Sequence, residues 1–245
     1  MTTMEFFGCT FISFGPPFAM FCLLIAKDPI RIIILISAAF FWLLSLLLSS
    51  ILWTAVVPLK EYLVFGVTFS IIFQELFRYV FYRVIRRAEP GLEKVSEVGT
   101  PSGSHMVVND RTQLAFVSGL GFGLMAGAFS LTNILADSVG PGTVGLTGDS
   151  HYFFLCSSFT TLAFILLHTF WGVIFFKACD NRNYTLIAYV FLSHLIASGI
   201  TFVNQSQLYM VSIVVIYAVT VITSVFAFYS AGGSLNSLKR VLSRQ

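Results

Sequence analysis

Charge is what this chain has least of. Asp, Glu, Lys and Arg make up 10% of its 245 residues, against roughly 25% in an ordinary soluble domain. So few charges exclude an ordinary soluble globular protein, a disordered chain and a soluble nucleic-acid binder. Cysteine is scarce too. Cys9, Cys22, Cys156 and Cys179 each sit in or beside an apolar run, with no CxxC pair and no disulfide-like spacing, so they read as small hydrophobes. There is no HExxH, the helical zinc-protease signature. The aspartates Asp28, Asp110, Asp137, Asp149 and Asp180 all fall in loops or at helix ends, so no two of them are expected to meet in mid-bilayer. The first apolar run has no basic residue before it, Glu5 being the only charge there, and no small-x-small cleavage site after it. It reads as a retained transmembrane helix, not a cleaved signal.

What the chain does have is hydrocarbon. Hydrophobic residues make up 57% of it, including 27 Phe. The apolar runs are continuous, not alternating, which points to membrane-spanning helices and away from a transmembrane barrel. The expected fold is all-α: a polytopic membrane protein, residues 1–245 forming a single bundle of seven transmembrane helices. Polar breaks place the spans at about 6–26, 30–57, 61–85, 114–136, 152–178, 185–203 and 208–231. Polar loops at 86–113 and 137–151 separate the third, fourth and fifth spans. No loop is long enough for a soluble domain, and no internal repeat suggests a transporter built from inverted halves.

The basic residues give an orientation. Lys27, Arg31, Arg83, Arg86, Arg87, Lys94, Arg111, Lys177, Arg182, Lys239, Arg240 and Arg244 all fall on one side of the seven-span layout, and Lys60 alone falls on the other. By the positive-inside rule the N-terminus is luminal or extracellular and the C-terminus cytoplasmic.

Polar side chains inside a bilayer are costly, so they face protein or water. Three groups stand out. Gly119, Gly123 and Gly127, within SGLGFGLMAG, share one face of the fourth span and admit another backbone closely. That backbone belongs either to this chain or to a partner subunit. His168 and His194 each lie about ten residues from the basic ends of spans five and six, roughly 15 Å deep. On adjacent helices they meet, as an interhelical polar contact or as part of a proton relay. No third ligand at metal spacing accompanies them, so no metal is expected. Gln74, Glu75 and Arg78 in span three have i, i+3 and i, i+4 spacing, which suits an internal polar lock or a solute pathway. No catalytic residue and no cofactor is expected.

Several segments resemble the anterior-pharynx-defective (Aph) subunit family of γ-secretase. They are FFGCTFISFGP from Phe6, DPIRIIIL from Asp28, FFWLLSLLLSS from Phe40, QELFR from Gln74, SGLGFG from Ser118, NILADSVGPG from Asn133, LLHTFWGVIFF from Leu166 and AGGSL from Ala231. The resemblance implies a seven-span, non-catalytic scaffold that assembles with nicastrin, presenilin and the presenilin-enhancer subunit in the lipid bilayer. It implies no nucleic-acid partner. It further implies assembly roles for Gly119, Gly123, Gly127, His168 and His194. The complex it points to cleaves type I membrane proteins such as Notch and amyloid-precursor-like proteins. Assembly is expected in the endoplasmic reticulum and Golgi, with mature complex at the plasma membrane and endosomes. Two other classes remain as rivals. One is a lone seven-helix receptor or transporter, although DRY, NPxxY and a span-seven lysine are all missing. The other is a lone protease built on Ser198 and His168.

Overall fold

A computed structural model describes residues 3–59, 62–99, 111–139, 152–234 and 236. It holds seven helices long and apolar enough to cross a membrane, and no strand among the described residues. These are α1 (Thr3–Leu24), α2 (Pro29–Ala55), α3 (Leu63–Gly99), α4 (Arg111–Val139), α5 (Phe153–Asp180), α6 (Tyr184–Ile200) and α7 (Tyr209–Ser230). Short 3-10 turns, Val57–Leu59 and Thr201–Ser206, follow α2 and α6. Lys60, residues 140–151 of the glycine-rich loop, and Lys239, Arg240 and Arg244 lie outside the described residues.

The helix ends follow from local chemistry. Asp28 caps α2 by accepting a hydrogen bond from the Ile30 amide at 2.9 Å. Pro29 fills the first helical position, where no amide is needed. The α5–α6 turn is tighter. The Asn183 amide donates to the Ala178 carbonyl at 2.8 Å and the Arg182 amide to the Cys179 carbonyl at 3.3 Å, the double closure of a Schellman motif. The Asn183 side chain then caps α6 at the Leu186 amide. One residue thus ends one helix and starts the next. The same closure ends α7, where Gly233 and Gly232 amides bond the Phe228 and Tyr229 carbonyls at 2.9 and 3.0 Å. There Gly232 takes φ +86°, a conformation glycine adopts without steric cost.

One helix departs from the expected layout. The doublet Arg86-Arg87 was expected to end the third span in a polar loop, yet α3 runs on to Gly99, through Pro90. Charge stops a membrane crossing because hydrocarbon cannot solvate it. It does not stop a helix, since Arg, Lys and Glu are good helix formers.

α5 is the hub. About two-thirds (67%) of its apolar window is buried, against 17% for α1 and 22% for α3. The six residues from Trp171 to Phe176 are buried on every side of the helix. α5 packs on α1, α4, α6 and α7. Single hydrogen bonds supplement the packing: Ser13 of α1 to the Ser158 carbonyl at 3.0 Å, and Tyr217 of α7 to the Phe159 carbonyl at 3.1 Å. α3 packs on α2 and α6 and reaches α5 through long side chains. The outer surface carries large exposed apolar residues, among them Phe11, Phe18, Ile33, Ile36, Phe40, Val214 and Val221. Such a surface suits contact with lipid.

Candidate functional site: an ion-pair network in the bundle interior

α3 presents Gln74, Glu75 and Arg78 to the interior, all buried, with Arg78 1% exposed. Arg78 grips Glu75 with two bonds, Nε to Oε2 at 3.0 Å and Nη2 to Oε1 at 3.2 Å. Such a fork is the strongest geometry open to a guanidinium. The same guanidinium reaches α5. Its Nη1 donates to the His168 carbonyl at 3.2 Å and its Nη2 to His168 Nδ1 at 3.0 Å. Its planar face lies 5.1 Å from the Phe122 ring centroid of α4, a cation–π distance.

These contacts set the histidine tautomers. Arginine has no acceptor, so His168 Nδ1 must accept, which puts that ring's hydrogen on Nε2. His194 Nδ1 lies 2.8 Å from Glu75 Oε1. A carboxylate only accepts, so His194 carries its hydrogen on Nδ1. The two imidazoles do not bond each other. They meet edge to face, with centroids 5.1 Å apart at 88°. Trp171 stacks on His194 at 4.4 Å and donates its Nε1–H to Ser193 Oγ at 2.9 Å.

Two groups that stand apart in the sequence thus form one network across α3, α5 and α6. Gln74 does not join it. Gln74 and Arg78, though four residues apart on one helix, do not bond each other. Gln74 instead accepts from Trp42 Nε1 of α2 at 3.0 Å and donates to Ser70 Oγ at 3.0 Å. Glu75 already occupies the guanidinium, and the Trp42 N–H needs a buried acceptor. With both imidazoles neutral, the carboxylate and guanidinium cancel and the network carries no net charge, the least costly state in a bilayer interior.

His168 and His194 also line a cavity of about 360 Å³ between α2, α3, α4, α5 and α6. Its walls carry hydroxyls and an amide, including Ser130, Thr161, Ser198, Thr201 and Asn204. Among the described residues no hydrogen bond joins Ser198 to either histidine, and no cluster of three or more His, Cys, Asp or Glu has metal-binding geometry.

The glycine face of α4 lies on α5 of the same chain. A Cβ on Gly119 would come within 2.6 Å of the Thr169 carbonyl oxygen, and one on Gly123 within 2.5 Å of that of Ile165. At Gly127 the nearest atom is Ile165 Cδ1, at 2.5 Å, the end of a side chain. Two more glycines belong to the seam. Gly172 of α5 answers Gly119, since a Cβ there would lie 2.7 Å from Gly119 Cα. Gly121 faces α2, where a Cβ would meet the Leu35 carbonyl and lie 2.9 Å from Ala38 Cβ. Sequence reading passed over both. Gly121 interrupts the four-residue step that singles out the others, and Gly172 is solitary within its apolar run.

A second charged cluster lies toward the basic end of the bundle. Asp180, at the end of α5, takes Arg86 Nη2 at 2.6 Å and Tyr82 OH at 2.8 Å from α3. Glu89 takes Arg111 Nε at 2.9 Å and so ties α3 to α4. The sequence signals these pairs only as a surplus of Arg at that end. Their partners lie 94 and 22 residues away.

Fold and interior together define an integral, multi-pass α-helical membrane protein whose buried polar residues bond from helix to helix. The model of the Aph-1 protein family matches residues 4–234. The γ-secretase subunit Aph-1 of Drosophila melanogaster is 54% identical to this chain over 245 residues, 100% of each. The γ-secretase subunit Aph-1b of Danio rerio is 49% identical over 99% of this chain and 94% of its own. The APH1-like γ-secretase subunit of Arabidopsis thaliana is 31% identical over 92% of each. This chain belongs to the Aph-1 family.

Proposed function

We propose that this chain is a non-catalytic scaffold subunit of a γ-secretase-type intramembrane protease complex. The observation that carries the reading is end-to-end similarity to proteins named γ-secretase subunits, 54% identical in the case of the Drosophila relative. In this reading the chain assembles with nicastrin, presenilin and the presenilin-enhancer subunit, and supports cleavage of type I membrane proteins such as Notch and amyloid-precursor-like proteins. Assembly begins in the endoplasmic reticulum and Golgi, with the N-terminus luminal and the basic end cytoplasmic. The architecture suits this role. The seven helices carry a rigid hub in α5, and the outer faces of α1, α2 and α7 bear exposed apolar side chains on which other transmembrane helices can pack.

The glycines and histidines then support assembly indirectly. Gly119, Gly123 and Gly127 hold α4 against α5, while Glu75, Arg78, His168 and His194 hold α3 and α6 around it. Partners meet a surface whose shape depends on both. The test is purification of tagged full-length chain from cells in a mild detergent. Roughly stoichiometric co-elution of presenilin and nicastrin is the expected result. A lone, monodisperse seven-span protein, with those partners present in the cells, overturns the proposal and restores the receptor or transporter reading.

A further inference from the structure

At the basic end of the bundle, a groove of about 400 Å³ opens between the Tyr79–Arg86 stretch of α3 and the α5–α6 turn. Arg83, Arg86 and Arg182 line it, together with Tyr79, Tyr82 and Tyr184. The charges there do not balance. Arg86 is paired with Asp180, but neither Arg83 nor Arg182 has a carboxylate partner among the described residues. Arg83 is held in place by its Nη1 bond to Tyr79 OH at 3.0 Å, with its guanidinium 5.9 Å from that ring's centroid. Arg182 is the more telling. It occupies the left-handed position of the Schellman closure, at φ +53°, where glycine is the usual residue. A bulky side chain at a strained position points to a use for that side chain.

We propose that this groove binds the phosphate-bearing headgroup of an anionic phospholipid. Arg83 from α3 and Arg182 from the α5–α6 turn contact the phosphate, the charge of Arg86 being already matched by Asp180, and the tyrosines lie at headgroup level. Location and charge decide the occupant. The groove lies where the α5 span ends and the α6 span begins, and aromatic side chains sit in the membrane interface at span ends. Basic pockets between helices at that depth suit lipid headgroups.

The test uses purified full-length chain in a neutral detergent, titrated with dioctanoyl phosphatidylserine, dioctanoyl phosphatidylcholine or inorganic phosphate. Binding is read by microscale thermophoresis and by thermal shift. The serine lipid is expected to bind at least tenfold more tightly than the choline lipid. Arg83→Gln and Arg182→Gly should each weaken it at least fivefold. Arg87→Gln, at an exposed position outside the groove, should leave binding within twofold. Arg182→Gly also separates binding from folding, because it removes the guanidinium while relaxing the backbone. The expected result is a raised melting temperature with lost lipid binding. Equal binding of the two lipids overturns the proposal. So does competition by inorganic phosphate at the same concentration as lipid, which would make the site one for a free anion. Undiminished lipid binding in both groove variants, or loss of a co-purifying protein subunit in them with lipid binding intact, overturns it as well.

Discussion

α4 and α3 hold α5 in opposite ways. Against α4 the backbones nearly touch. Glycine faces carbonyl oxygen and glycine faces glycine, with no charge in the seam. Against α3 the backbones stand apart. A cavity of about 360 Å³ lies in the interior between these helices, and arginines span the distance, Arg78 to His168 and Arg86 to Asp180. In a bilayer neither contact gains from the hydrophobic effect, because lipid tails are as apolar as leucine. The first seam therefore rests on dispersion between close surfaces and tolerates no added volume. The second rests on hydrogen bonds between buried charges and tolerates no missing partner. One should fail by steric exclusion, the other by loss of charge compensation.

The largest expected effect is at the seam. Gly123→Leu puts a branched side chain against the Ile165 carbonyl, where even a Cβ comes within 2.5 Å. The cost should exceed about 5 kcal/mol, read as loss of the monodisperse peak in size-exclusion chromatography. A well-behaved, fully stable variant would mean that α4 can move off α5 freely.

Next comes Arg78→Met, which leaves the Glu75 carboxylate buried without its cation. A destabilisation of about 3–5 kcal/mol is expected in an SDS titration of the refolded chain. The double variant Glu75→Gln/Arg78→Met should lose less than the two single changes combined, since neither charge is then stranded. Additive losses would show that the pair does not act as a unit.

His194→Leu deletes the Nδ1–H that Glu75 accepts and the ring on which Trp171 stacks. About 1–3 kcal/mol should be lost, because the guanidinium still satisfies the carboxylate in part. A red-shifted Trp171 emission would report the opened site. An unchanged spectrum with unchanged stability would exclude His194 from the network.

The smallest effect separates the two ends of the seam. Gly127→Ala meets side-chain atoms of Ile165 and Thr161 and no backbone, so it should cost the least of the three, about 1 kcal/mol. Gly119→Ala and Gly123→Ala meet backbone and should each cost more. Equal costs at all three positions would mean that close backbone approach is not what distinguishes them.

Much of this was legible before any helix was placed. The apolar runs, the four-residue glycine step and the depth of the two histidines are all local properties of the chain. Helix geometry turns each into a face or a depth. That Gln74 and Arg78 take different partners was not legible, because spacing shows which side chains can meet, not which competitor is nearer. Here Glu75 holds the arginine and Trp42 holds the glutamine. The end of α3 was misread for another reason. Solvation ends a membrane span and propensity ends a helix, and at Arg86 the two criteria part.

By itself, then, the amino-acid order determined that the chain would form seven apolar helices and which residues would be too polar to face lipid. Both follow from the cost of burying backbone and charge in hydrocarbon. Only the tertiary structure decided that the α4 glycines lie on α5, that Arg78 serves Glu75 and His168 together, and that Asp180 closes on Arg86. Those partners are separated by up to about a hundred residues. Which of them meet depends on how seven helices share one hub, and no local spacing encodes that.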